Sequence, residues 1–165
     1  FKLLTSSVKD LTLSFKASAT VWRHFGRNMI DWIMDTSLGS EAVWQSVNHT
    51  KINSTGVEAS VEFFIGANQF NIDYSYIHQQ KEQEAHIVSQ YAMEYLRHKL
   101  TAQLRMKLTE SIDLTIGYRW QDRIGQYTTI DGEVKDYQPY SVVDTRLAWT
   151  NDTYSIYVEG NNLAR

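Results

Sequence analysis

One stretch constrains the fold more than any other: LRHKLTAQLRMKL, residues 96–108. Apart from His98, its even positions are apolar: Leu96, Leu100, Ala102, Leu104, Met106 and Leu108. Its odd positions are polar: Arg97, Lys99, Thr101, Gln103, Arg105 and Lys107. Successive side chains of a strand point to opposite faces, so the run predicts a strand with one apolar and one charged face. It is thirteen residues long, against about five or six for an ordinary globular strand. A fold is needed that uses strands of this length and gives each face its own solvent.

Bulk properties narrow the classes. The chain has 165 residues, a net charge of −3, 42% hydrophobic and 21% charged residues. A nucleic-acid binder would carry a clustered basic excess, which is missing here. There is no cysteine, hence no disulfide framework and no thiolate metal site. No run of eighteen apolar residues exists, so no transmembrane helix is expected. A membrane barrel is untouched by that test, because its alternating strands give a weak hydropathy signal. Phe1 opens without a basic region or an apolar segment of the secretory type. FKLL reads as the tail of a strand already under way, and the chain is expected to be a piece of something longer.

Alternation recurs along the chain. Leu11, Leu13, Phe15, Ala17, Ala19 and Val21 alternate with polar residues from about Asp10 toward Trp22, with a continuation through Met29–Met34. After the loop DTSLGSEA, pattern returns near Val43 and runs with a break to Ile65. A short turn, Gly66–Gln69, precedes Phe70, Ile72, Tyr74 and Tyr76. The polar segment HQQKEQEAHIVSQYAME reads as a loop. The opening strand follows, then the turn Thr109–Ser111 and the series Ile112, Leu114, Ile116, Tyr118 and Trp120. A second polar loop covers roughly Gln121–Gln138. Pro139 stands where the next strand begins, a position a sheet tolerates. Val143–Trp149, a turn at Thr150–Asp152, and Tyr154–Glu159 complete the series.

About seven long antiparallel strands result. Short turns near 5–10, 66–69, 109–111 and 150–152 fall at one end. Long loops near 35–43, 79–94 and 121–138 fall at the other. Outer-membrane barrels have this asymmetry, with strands of about 9–11 residues. A soluble barrel of the lipocalin kind also alternates, with its apolar face inward. Strand length and loop asymmetry favour the membrane.

A resemblance sharpens the reading. VWRHFGRNMIDWI (21–33), then Trp44–Asn48, then NSTGVEASV (53–61), resembles in order and spacing the C-terminal barrel of TonB-dependent outer-membrane receptors. Glu159–Leu163 resembles the family's "xNL" before its last strand. The flavour is similar to the vitamin B12 and iron-siderophore branch, as in Bacteroidetes bacteria. The resemblance covers nearly the whole chain and implies an all-β, antiparallel, up-and-down transmembrane β-barrel, in a Gram-negative outer membrane. Family barrels have roughly 22 strands around a plugged lumen. Residues 1–165 are therefore expected to be the C-terminal part of such a barrel, without the plug domain and the final strand. The implied function is active uptake of a large scarce nutrient, a siderophore–metal chelate or cobalamin. The implied partners are the TonB complex, the small-molecule ligand, the lipid bilayer and, at the cell surface, a lipoprotein. A passive porin or adhesin barrel and a soluble lipocalin-like binding barrel stand as alternatives.

No catalytic constellation is present, and neither an enzyme nor a cofactor is expected. The histidines at 24, 49, 78, 86 and 98 have no HExxH spacing. Glu82, Glu84 and His86 read as solvated loop residues rather than metal ligands, which need fixed geometry. Asp122, Asp131 and Asp136 lack EF-hand spacing, so no metal site is assigned. Candidate ligand contacts are the outer-loop residues Trp32, Trp44, Glu82, Glu84, His86, Asp122 and Asp131. Trp22, Trp32, Trp44, Trp120 and Trp149 lie toward strand ends and supply girdle candidates. Gly56, Gly117 and Gly160 are expected at bulges or bends. Arg97, Lys99, Arg105 and Lys107 are expected to face the lumen and to pair with Glu58, Glu62 and Asp113, or with the plug.

Overall fold

The computed structural model describes residues 4–8, 11–82, 86–89 and 95–164. Eleven strands appear in chain order. They are β1 (Leu4–Val8), β2 (Leu11–Asp35), β3 (Trp44–Ile65), β4 (Asn68–Glu82), β5 (Ile87–Ser89) and β6 (Tyr95–Thr109). Then come β7 (Ile112–Ile124), β8 (Gln126–Thr128), β9 (Val134–Asp136), β10 (Tyr140–Thr150) and β11 (Ser155–Gly160). A 3₁₀ segment, Thr36–Glu41, links β2 to β3. One antiparallel sheet runs in the order β1-β2-β3-β4-β6-β7-β10-β11, with β5 added to the edge of β2. Strands β8 and β9 form a separate hairpin. The sheet is open, with all-β up-and-down connectivity as expected.

The turns explain the connectivity. Gly66, at φ 58, heads a two-residue turn between the paired Ile65 and Asn68, the place where a II′ hairpin turn requires glycine. At the turn after β10, Asn151 Oδ1 accepts the Thr153 and Tyr154 N–H groups at 2.9 and 2.7 Å, an Asx turn. The Thr150 N–H donates to Ser111 O at 2.9 Å and ties this turn to its neighbour. The short turns share one end of the sheet and the long connections the other.

The two polar segments contain more structure than loops. Strand β4 extends to Glu82 and β5 lies inside the 78–94 segment, paired to Ile33–Asp35. Strand β7 extends to Ile124, and the β8–β9 hairpin occupies the middle of the 121–138 segment. Polar composition hid these strands because neither has a buried face to impose alternation.

Register places the breaks away from the expected glycines. Pairing is continuous through Gly56 (Trp22↔Gly56↔Ile77) and Gly117 (Gln103↔Gly117↔Asp144), and Gly160 is the last paired residue of β11. Shifts occur instead between Gly26 and Ile30, where Asn28 has φ 53, between Leu96 and His98, and between Lys107 and Thr109. Gly56 is required for space: a Cβ there would overlap the Trp22 indole.

The β6 bulges correct the opening expectation. Leu96 pairs with Arg123 and His98 with Asp122, leaving Arg97 as the extra residue. Leu108 is extra at the other end. Uninterrupted alternation thus runs from His98 to Lys107, ten residues, matching the 9–11 residues of a membrane-crossing strand. By register, Leu96 belongs to the polar row and Tyr95 replaces it in the apolar one.

Burial shows what kind of object this is. Among the described residues only Ile33 and Ile52 are buried apolar side chains, each 8% exposed. Accessible surface totals 12240 Å², whereas a compact soluble chain of 19.2 kDa would expose about 8,400 Å². A single sheet layer with an apolar face and no internal core needs another apolar medium against that face.

Candidate functional site

Three surfaces follow from the register: an outward apolar face, an inward polar face and an arm beyond them. On the outward face the rows read Phe15–Phe63–Phe70–Leu104–Ile116 and Ala17–Val61–Ile72–Ala102–Tyr118–Val143. Toward the long-loop end follow Ala19–Ala59–Tyr74–Leu100–Trp120 and Val21–Val57–Tyr76–His98–Asp122. The next row, Arg23–Thr55–His78, is polar. On β7 the apolar series Ile112 to Trp120 spans nine residues, about 26 Å along the strand. Tilted by 35–45° it covers about 20 Å, of the order of the apolar band of a membrane barrel.

Aromatic groups mark both borders of this band. Near the short turns the Phe15, Phe63 and Phe70 rings form a ladder with centroids 6.2 and 6.3 Å apart. Near the long loops His98 sits 4.9 Å from Tyr76, 6.1 Å from Trp120, and in a 2.8 Å hydrogen bond with Tyr74 Oη. The one polar interruption of the opening stretch is therefore part of an interfacial aromatic cluster. Rings with an apolar body and a polar tip favour this depth. Trp120 and Trp149 occupy the outward face, as the girdle expectation required. Trp22 does not. It faces inward, and its Nε1–H donates to Glu58 at 3.1 Å.

The inward face is polar and mostly hydrogen-bonded within itself. Lys16 pairs with Glu62 at 3.7 Å and Arg146 with Glu159 at 3.5 Å. Asp73 accepts from Ser60 Oγ at 2.7 Å and Thr101 Oγ1 at 3.3 Å. Asp144 accepts the Asn162 N–H at 2.9 Å. Among the described residues, Arg97, Lys99, Arg105 and Lys107 form none of the ion pairs expected with Glu58, Glu62 and Asp113. Glu58 accepts from the Trp22 indole and Glu62 pairs with Lys16, while Lys107 stands opposite Asp113 in the register. Two adjoining depressions of about 340 and 280 Å³ share Asp73 and Thr101 on this face.

Beyond the band, β2 and β3 continue as an arm capped by the 3₁₀ segment. Gly26, Ile52, Ser54 and Gly56 are buried, whereas Phe25, Lys51, Thr55 and Val57 on the opposite face are exposed. The arm is thus covered on its inward side. The chain passes from β4, bonded to β3, to β5, bonded to the far edge of β2. The Thr36 N–H and hydroxyl both donate to His86 O at 2.8 Å. The Ser37 hydroxyl (2.6 Å) and N–H (2.9 Å) donate to Asp35. Together with nearby His86 they hold its carboxyl below the ordinary value.

The proposed contact residues do not form one site. Trp32, Trp44 and His86 come together at the arm tip, where both indoles are exposed on one face of the hairpin. Glu82 ends β4 opposite Lys51, and Glu84 lies outside the described residues. Asp122 is not a loop residue: it sits in β7, opposite His98, in the outward rows. Asp131 occupies the tip of the β8–β9 hairpin. Among the described residues no three acidic or histidine side chains are grouped to hold a metal ion.

The family of TonB dependent receptor-like β-barrels matches residues 5–163. The chain belongs to that family. No curated protein and no solved structure gives a significant match. As a TonB-dependent receptor barrel, the sheet has a defined setting: its apolar face meets the lipid of a Gram-negative outer membrane and its polar face lines the lumen. Every backbone group in lipid must be paired between strands, which a barrel wall accomplishes. The long connections and the β2–β3 arm then stand at the outer side, where loops are long.

Proposed function

We propose that this barrel serves active import of a large, scarce nutrient, a siderophore–metal chelate or cobalamin, energised through TonB. The supporting observation is the joint geometry of β6. Its ten bulge-bounded residues match a membrane crossing, while β2 and β3 continue far past the band into an ordered arm. A wall that only sealed a passive pore would have no need of that arm. Its exposed Trp32 and Trp44 offer flat apolar surface to a bulky ligand.

The test uses the intact receptor in its own cells. Outer-membrane fractionation with a boiling-dependent gel mobility shift is expected. A strain lacking the receptor is expected to grow poorly when iron or cobalamin is limiting and to recover with surplus. Normal growth under both limitations would reject these nutrients. Uptake that persists without TonB would point to a passive barrel.

A further inference from the structure

Past the aromatic border of the outward face, β2, β3 and β4 carry a row of three polar side chains. Arg23, Thr55 and His78 pair in register and all are exposed. The row lies one step beyond Val21–Val57–Tyr76, about 6.7 Å along the strands. At the tilt of a barrel strand that is about 5 Å along the membrane normal. The row therefore stands at headgroup depth, on the side of the long connections. The Arg23 guanidinium lies over the Phe25 ring, 4.7 Å from its centroid. Phe25 belongs to the next row away from the band, so the Arg23 side chain leans away from the apolar rows. Stacking occupies the flat face of a guanidinium and leaves its N–H edge available. Arg23 forms no ion pair among the described residues.

The charge around this row favours an anion. Its neighbours on the same face are Val21, Val57 and Tyr76 on one side and Phe25, Asn53 and Gln80 on the other, all uncharged. On this face of β2–β7 the carboxylates of the described residues are Glu82, which stands opposite Lys51, and Asp122, on the fourth strand from Arg23. The border at the short turns is different. Past Phe15–Phe63–Phe70 the same strands carry Leu13, Ile65 and Asn68, with no cation. The positive charge thus marks one leaflet.

We propose that Arg23, Thr55 and His78 form a docking site for the phosphate of an outer-leaflet lipid, whose acyl chains lie along the adjoining apolar rows. The occupant follows from continuity, because the row extends the lipid-facing surface on the same three strands. The guanidinium edge makes charge-assisted hydrogen bonds to phosphate oxygens. The Thr55 hydroxyl and an imidazole N–H are further donors. The bound headgroup holds the base of the β2–β3 arm at a fixed depth. The inference rests on the outer-membrane setting of the barrel and not on which nutrient is imported.

The chain contains no cysteine, so one introduced thiol gives a local readout. Gln80→Cys, exposed and one row beyond His78, carries an uncharged environment-sensitive dye. The intact receptor, any cysteine outside this chain replaced, is stripped of lipid in an uncharged maltoside detergent and titrated with dioctanoyl phosphatidic acid. A saturable dye shift is expected, with a lower midpoint than for dioctanoylglycerol, which lacks the phosphate. Arg23→Gln is expected to raise the midpoint about fivefold. Thr55→Glu, which sets a carboxylate beside the guanidinium, should raise it further. Arg119→Gln, on the inward face opposite Thr101, should leave it unchanged. Absence of a shift, equal midpoints for the two lipids, or no effect of Arg23→Gln overturns the proposal. Inorganic phosphate acting at the same concentration as the lipid would assign the site to a free anion and overturn the lipid assignment. If Arg23→Gln lowers receptor levels, Thr55→Glu decides alone by the same criterion.

Discussion

Gly56 and Trp22 meet as a cross-strand pair, and the glycine leaves the space that the indole fills. The indole lies over the glycine and its N–H reaches Glu58. Gly56→Ala is expected to destabilise the folded barrel by about 1–3 kcal/mol, because the added methyl must displace the same indole edge whose N–H Glu58 holds. Adding Trp22→Ala should recover part of that loss, and denaturant titration of the two single variants and the double variant measures the coupling. Asp35 makes a second residue-scale prediction. Its carboxyl, held low by the Ser37 hydroxyl, the Ser37 N–H and His86, favours the folded arm tip above the ordinary carboxylate value of 3.8. The sign follows from a depressed folded-state value: the contribution is present above 3.8 and disappears as pH falls through the lower folded one. Protease cleavage near Thr36–Glu41 should therefore rise as pH drops below about 4, and Asp35→Ala should flatten that dependence.

At the scale of the element, β6 assigns its faces by residue parity between two bulges. Ala102 lies on the outward face near the middle of the band and Gln103 on the inward face. Ala102→Arg is expected to cost about 2–4 kcal/mol, and Gln103→Arg to be tolerated. Comparable losses at both positions, read from refolding into lipid, would contradict the assignment. The alternation of β6 was legible as sequence, yet its ends were not. Leu96 and Leu108 fit the apolar period, but each sits beside a bulge that depends on how many residues β7 sets opposite. A pattern within one strand carries no count of its partner.

For the whole molecule, the open sheet leaves apolar rows and two strand edges uncovered, β1 and β11. Ile156 and Val158 on β11 are largely exposed. Expressed alone in water, this chain is expected to self-associate through those edges and that face, and to disperse in detergent or lipid. Light scattering with and without micelles checks this. A monodisperse monomer in plain buffer would mean that the apolar rows have found cover within the chain.

The amino-acid sequence by itself determined the antiparallel strands, the apolar and polar faces, and the end of the sheet that carries long connections. Those properties are local, set by side-chain period and turn chemistry, so they can be read one segment at a time. The tertiary structure decided the rest: that Trp22 faces inward over Gly56, that Asp122 joins His98 on the outward rows, and that β5 binds β2 rather than remaining loop. It also decided that Glu58 accepts the Trp22 indole N–H and that Glu62 pairs with Lys16. Each depends on which residue of a neighbouring strand stands opposite, a relation between segments distant in the chain. Register is set by turns, bulges and pairing acting together, and only the assembled sheet states it.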